Sequence, residues 1–263
     1  MLAKTQTKQY HKLHIKKRTY KSVKYLFSVL VWLIIWHFLA MRISKELFLP
    51  APFKVAEVLI TKLWVSQEFW LSILFSLKQI GSGFLWGCII GIVFSVLSYM
   101  FELIEIILWF PVHVIQAVPV ASFVILILLW LPASKLSVVI PILIVFPMVY
   151  HHTLTAIKQT DTQLLEMAKI FRIPIYKQVR YIFIPTVLPQ ILSTCSLAIG
   201  MAWKSGIAAE IIGLVRNSIG NQLYSAKIHF LTSELFAWTF VIVILSVLCE
   251  QLMKCLTHLL VHL

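Results

Sequence analysis

The chain has 263 residues, of which 60% are hydrophobic and only 13% charged, with a mean hydropathy of +0.91. A soluble domain of this length carries about 25% charged residues, so the composition excludes an ordinary soluble enzyme and points to an all-α, polytopic membrane protein. The net charge of +13 does not mark a nucleic-acid binder, because eight of its Lys and Arg residues precede residue 25 with no acid among them, a placement suited to anionic headgroups and to setting topology.

Residues 1–24 read as a basic cytoplasmic tail, either lipid-bound or simply solvated. The first apolar run, Tyr25 to Ala40, falls just short of the ~20 residues a crossing helix needs and can extend to Met41. Leu39-Ala40-Met41 is a poor small-residue cleavage site, so the run is read as an uncleaved anchor. Residues 25–263 then form one transmembrane domain. His37 within the first run reads as a satisfied or interfacial histidine. Leu49-Pro50-Ala51-Pro52 predicts a rigid extended turn outside the membrane. Val55, Val58, Leu59 and Leu63 stripe a short helix after it, opposite Lys54, Glu57, Thr61 and Lys62, as on a helix lying at the interface.

The second span is predicted from about Trp70 to Tyr99. Gly83, Gly87 and Gly91 lie four residues apart and would give a smooth face where another helix backbone approaches closely. Lys78 precedes them and reads as a snorkelling cation. Glu102 and Glu105 fall in a turn. The third span is predicted to be broken by Pro111 and Pro119 before running to Trp130. Two prolines in an apolar run bend a helix and free backbone carbonyls, which are tolerated at membrane depth only against protein or water. The region around Pro119 is therefore either part of a translocation path or a kinked, buried helix. Leu136 to His151 is the fourth span, with Pro141 and Pro147 inside it. His151 and His152 point about 100° apart on a helix, so they do not make a metal site. The four cysteines form no CxxC pair and read as small core hydrophobes.

From Thr162 to Ile191 the character changes. Leu165, Ala168 and Phe171 recur at helical spacing, predicting a short helix with one apolar face. Pro174 suits the first turn of a second short helix, expected to carry Lys177 and Arg180 and to end at Ile184. Pro185 and Pro189 would then open the fifth span. Five basic residues between Lys158 and Arg180 place the loop in the cytoplasm by the positive-inside rule. The fifth span carries Lys204 and Glu210, which six intervening helical steps put on different faces. Each is expensive at mid-bilayer, about 2.5–3.5 kcal/mol on insertion scales. Glu210 is expected to cap or pair near the outer end. Lys204 faces either headgroups or the path, and its small neighbours Ser205 and Gly206 favour the path. Leu214 to Leu231 reads as an outer loop with a short helix, and Thr232-Ser233-Glu234 as the start of the last span, Leu235 to Met253. About six spans put both termini inside.

Glu166, Met167, Ala168, Arg172, Ile182, Ile184 and Pro185 keep the spacing of a known motif: Glu-Ala-Ala, three residues, Gly, nine residues, Ile, one residue, Leu-Pro. The segment resembles the EAA loop of binding-protein-dependent ABC-transporter permeases. Leu49-Pro50-Ala51-Pro52 is similar to a Leu-Pro-Ser-Pro of that family. Ala202-Trp203, Ala208-Ala209-Glu210 and Gly213 resemble its nitrate/sulfonate/taurine branch. Met167 stands where the motif has Ala, and Arg172 where it has Gly. The family glycine would be a left-handed helix terminator, and Pro174 is expected to alter the turn so that Arg172 keeps a negative φ.

The resemblance implies a type I importer permease in a bacterial inner membrane, with residues 156–185 as the coupling loop. Leu165, Glu166, Ala168, Arg172, Ile182 and Pro185 would serve coupling to a separate ATP-binding subunit. Pro119, Lys204 and Glu210 are candidate path residues, and Gly83, Gly87 and Gly91 packing residues. It also implies a second copy of the chain, an extracytoplasmic solute-binding protein, membrane lipid around the spans, and no cofactor. There is no GxxxxGK[ST], GxSxG or HExxH, so any ATP hydrolysis belongs to a partner. An intramembrane enzyme and a self-sufficient channel are the rival classes, and the gapped motif separates a permease from both.

Overall fold

The computed structural model describes Lys24, residues 27–43 and residues 47–261. All but one residue of the basic tail lies outside them. Every regular element among the described residues is helical. In chain order these are α1 (Phe27–Ile43), α2 (Pro52–Val58) with a π-turn at Leu59–Leu63, α3 (Gln67–Met100), α4 (Glu102–Ala117), α5 (Val120–Ile127), α6 (Leu136–Lys158), α7 (Thr162–Ile170), α8 (Ile175–Gln178) with a π-turn at Val179–Phe183, α9 (Ile184–Ile212), α10 (Ile219–Ile228) and α11 (Thr232–Val261).

Among the described residues, four helical stretches are long and apolar enough to cross a membrane: 67–100, 133–158, 175–212 and 232–257. The pair α4 and α5 makes a fifth crossing if taken as one span, and α1 is a shorter apolar helix. Together these account for about six spans. The third of them differs in detail from its expectation. The chain turns by 106° between α4 and α5, and the break is at Val118 and Pro119, both extended. Pro111 stays inside α4, so one proline ends the helix and the other is absorbed in it. The absorption is easier because Pro111 lies on an exposed side of α4, where its ring displaces no packed neighbour.

The bundle is organised around α3, α6 and α9. Gly87 and Gly91 face α6 closely: a Cβ at Gly87 would lie 2.8 Å from Val145 Cβ, and one at Gly91 2.9 Å from Val149 Cβ. At Gly83 it would meet the Val138 carbonyl oxygen. Contacts under 3 Å between heavy atoms are repulsive, so these three positions set how near the two backbones sit. One turn beyond Gly91, the Ser95 hydroxyl is shared between the carbonyls of Gly91 (2.7 Å) and Tyr150 (2.8 Å), and Ser98 Oγ lies 3.1 Å from the Tyr150 hydroxyl. These bonds fasten α3 to α6 through Tyr150. On α9, Gly206 receives Ile80 of α3, and Cys88 and Cys195 touch through their sulfurs at 3.7 Å.

A continuous core joins these helices to α11 through Phe69, Ile80, Val145, Trp203, Trp238 and Val241. Trp203 also donates its Nε1–H to the Ile242 carbonyl at 3.1 Å. α1 leans on α11 by stacking Trp36 between Phe236 and Phe240. The buried side of α2 is Val55, continued by Leu63 in the π-turn. α5 covers one end of α6 and α9 with Val124 and Ile127. α4 packs more sparsely, through Val112 against Tyr150 and Leu154. It is also tied at its first turn, where Glu105 accepts from Lys158 Nζ through both carboxylate oxygens at 2.6 and 2.7 Å.

Candidate functional site

The motif residues fold into an elbow at one end of the bundle. α6 ends at Lys158, and its last turns are held to α9 by Ala156 and Ile157 against Val187. Asp161 caps α7, its carboxylate accepting from the Gln163 amide at 2.9 Å. Ala168 is fully buried beneath the elbow, Leu165 is half-buried, and Glu166 faces outward. Phe171, expected on the apolar face, is 73% exposed, because it is the C-cap and the chain turns away there.

Arg172 has φ 50°, which corrects the expectation that Pro174 would keep it negative. The hydrogen bonds explain the conformation. The Arg172 amide donates to the Lys169 carbonyl at 3.1 Å and the Ile173 amide to the Ala168 carbonyl at 2.8 Å. This pair of bonds is the Schellman closure, which satisfies the last carbonyls of a helix only if the residue after the C-cap is left-handed. Pro174 acts afterwards, as the extended residue that starts α8. Leu214 and Phe230 take the same conformation at the ends of α9 and α10, while no glycine in the described residues has positive φ. Apart from Gly81, every glycine of the chain meets a close packing contact, and the chain accepts about 1–2 kcal/mol of left-handed strain at non-glycine residues.

The second helix of the elbow is not separate. From Ile175 to Ile212 the chain is one helical stretch of 38 residues, with a π-turn at Val179–Phe183 where a boundary was expected at Ile184. Pro185 falls where a proline costs little, at the start of the α-helical register. Ile182 is buried and Pro185 exposed. At 1.5 Å per residue the stretch spans about 57 Å, against ~40–45 Å for a bilayer with its headgroups. The stretch is therefore about 12–17 Å longer than the bilayer is thick, and Lys177 and Arg180 lie in its first turns. A groove of about 520 Å³ lies under the elbow, lined by Tyr99, Leu165, Ala168, Arg172, Ile175 and Phe183.

Farther along α9 the two ionisable residues part company. Lys204 is exposed, in line with the exposed Ser193, Leu197 and Met201. Its neighbours Ser205 and Gly206 are buried on the other side of the helix. Glu210 is wholly enclosed. Its Oε2 accepts from Ser76 Oγ at 2.8 Å and from the Gly220 amide at 3.2 Å, and Ser76 in turn accepts from the Ile219 amide at 3.0 Å. The carboxyl therefore sits at the N-terminus of α10, where free amides and the helix dipole favour an acid, and it staples α10 to α3 and α9. Gly220 packs against Glu210 so closely that a Cβ there would collide with it. Beside this cluster, Lys78, Asn217 and Gln222 line an open groove of about 500 Å³. Pro119 is exposed at the break between α4 and α5. No group of three metal-ligating side chains occurs among the described residues.

Sequence reasoning missed the Ser76–Glu210–Gly220 cluster and the Glu105–Lys158 pair. A serine in an apolar run is a weak signal by itself, and only the buried acid demands partners.

An all-helical membrane domain with an amphipathic elbow projecting from its longest span has the form of an ABC-transporter permease. The chain belongs to the family of binding-protein-dependent transport system inner membrane components, whose profile matches residues 99–261. It is 25% identical over 258 residues to the protein named "Putative aliphatic sulfonates transport permease protein SsuC" of Bacillus subtilis (strain 168), covering 97% of this chain and 92% of that one. It is 24% identical to the "Taurine transport system permease protein TauC" of Escherichia coli (strain K12), covering 84% and 80%. Among solved structures, an amino acid ABC transporter with histidines aligns with a TM-score of 0.59 at 16% identity, over 80% of this chain and 95% of that one.

Proposed function

We propose that the chain is the path-forming subunit of an ABC importer for a small anionic or strongly polar solute, energised by a separate ATP-binding subunit that docks on α7 and α8. The observation that carries this is the elbow: a short amphipathic helix joined to a 38-residue helical stretch that is about a dozen ångströms longer than a bilayer is thick. Such a helix serves no packing need inside the membrane. Glu166, exposed on α7, makes part of the docking contact with Leu165, Ala168, Arg172, Ile182 and Pro185 shaping the surface around it.

Two copies surround the path, and the basic elbow and both termini lie in the cytoplasm of a bacterial cell. A solute-binding protein delivers from the other side. ATP closes the ATPase pair, the elbows follow, and the spans change access; reversing such a two-state population needs several kcal/mol of differential binding. Lys204 lines the path between copies. The relatives named for sulfonates and taurine support an anionic solute, and a cation there complements it.

The test is ATP-driven uptake into vesicles carrying the chain with its ATP-binding subunit and binding protein, using taurine and an alkanesulfonate as probes. Glu166→Lys should abolish uptake while leaving the chain folded in the membrane, and uptake at the normal rate would refute the docking role. Lys204→Met should slow uptake with assembly intact. A membrane-impermeant thiol reagent should reach Lys204→Cys in one nucleotide state and not the other; equal protection in both refutes the path assignment.

A further inference from the structure

We infer that the partner surface accepting this elbow is an apolar cleft with an acidic rim, and that Lys169, Arg172 and Lys177 select it by charge. The inference rests on the docking reading above and goes beyond it by stating the chemistry of the partner. Ile170, Phe171, Ile175 and Tyr176 are 78%, 73%, 70% and 66% exposed. Four large side chains this open, on either side of the turn between α7 and α8, form an unpartnered apolar knob. Around it stand Lys169, Arg172, Lys177 and Arg180, all exposed. From Thr162 to Arg180 the only acid is Glu166, so four cations face one carboxylate. None of the four cations has an ion-pair partner among the described residues; Lys177 lies over the Tyr176 ring, 6.0 Å from its centre. Elsewhere the chain does pair its cations, as at Lys158–Glu105 and Lys62–Glu234.

Anionic headgroups are the competing occupant, and the lipid arm of the experiment separates the two. Lys169, Arg172 and Lys177 belong to the two short helices of the elbow and the turn between them, whereas Arg180 lies in the π-turn that continues into α9. Charges at the rim of an interface chiefly set the association rate, the salt dependence and the exclusion of wrong partners.

The experiment uses the full chain in phosphatidylcholine nanodiscs and its purified ATP-binding subunit, with affinity measured between 50 and 500 mM NaCl. Affinity should fall with salt. Lys169→Gln, Arg172→Gln and Lys177→Gln should each weaken it by about two- to fivefold, as expected for exposed pairs, and flatten the salt slope. Arg172→Gly separates docking from folding: relieved of its left-handed strain, the variant should melt at a higher temperature yet bind more weakly. Salt-independent binding, or an Arg172→Gly variant binding as well as the parent, overturns the acidic rim while leaving the docking reading in place. Charge effects that appear only when phosphatidylglycerol replaces phosphatidylcholine also overturn it, in favour of lipid. Failure of the parent chain to bind the subunit at all overturns the docking reading and this inference with it.

Discussion

Replacing Gly87 by alanine tests the packing of α3 on α6 with its own control in the same helix. The new Cβ would lie 2.8 Å from Val145 Cβ and 3.0 Å from Val145 Cγ1, with Val145 itself fully buried. Val145 Cβ is fixed by its backbone and no rotamer change moves it, so the two helices must separate. Overpacking of this kind costs about 1–3 kcal/mol. Opposing it, alanine gains roughly 0.5–1 kcal/mol over glycine in a helix interior. Over all but the lower end of that range the steric term wins, for a net loss of up to about 2.5 kcal/mol. At Gly81 nothing lies within 4 Å of the same added carbon, so Gly81→Ala should keep the propensity gain alone. Reversible unfolding in mixed micelles would compare the two variants with the parent. If Gly87→Ala proves as stable as Gly81→Ala, the close approach of α3 and α6 is not what the glycines provide.

Other expectations concern single contacts. Glu210→Ala leaves Ser76 Oγ and the Gly220 amide without their acceptor, costing about 1–3 kcal/mol per buried donor; Glu210→Gln retains one acceptor oxygen and should recover part of the loss, and equal stability of the two variants would contradict the staple. Trp203→Phe removes the bond to the Ile242 carbonyl and should cost about 1 kcal/mol, read as a lower unfolding midpoint with α9 and α11 still packed. Glu105→Lys and Lys158→Glu should each cost about 0.2–1 kcal/mol, since the pair is partly exposed. The double variant should recover only part, because its reversed charges then oppose the dipoles at the start of α4 and the end of α6; hydrogen exchange in the α4 first turn would show the order.

The residues alone settled the class of protein and its all-helical fold with about six apolar runs, because a bilayer demands long apolar helices and writes that demand on composition; where the spans begin and bend they did not settle, since the third breaks at Val118 and Pro119 and the fifth runs on from Ile175. The elbow was legible as well. Glu166, Arg172, Ile182 and Pro185 keep fixed intervals, and Pro174 marks where the second helix starts. Local rules failed where two of them competed. Pro174 allowed a negative φ at Arg172, but the carbonyls of Ala168 and Lys169 needed donors, and only the left-handed turn supplies them. Pro111 and Pro119 look alike in sequence, and what separates them is the docking of α5 on α6 and α9. Periodicity could place Lys204 and Glu210 on different faces. It could not say which face is closed, because Glu210 meets Ser76 across 134 positions and α10 folds back ten residues later to cover it. Contacts between distant segments follow from how the helices pack, and that packing was set by the glycine face of α3 against α6, a fit between two surfaces that no single stretch of sequence contains.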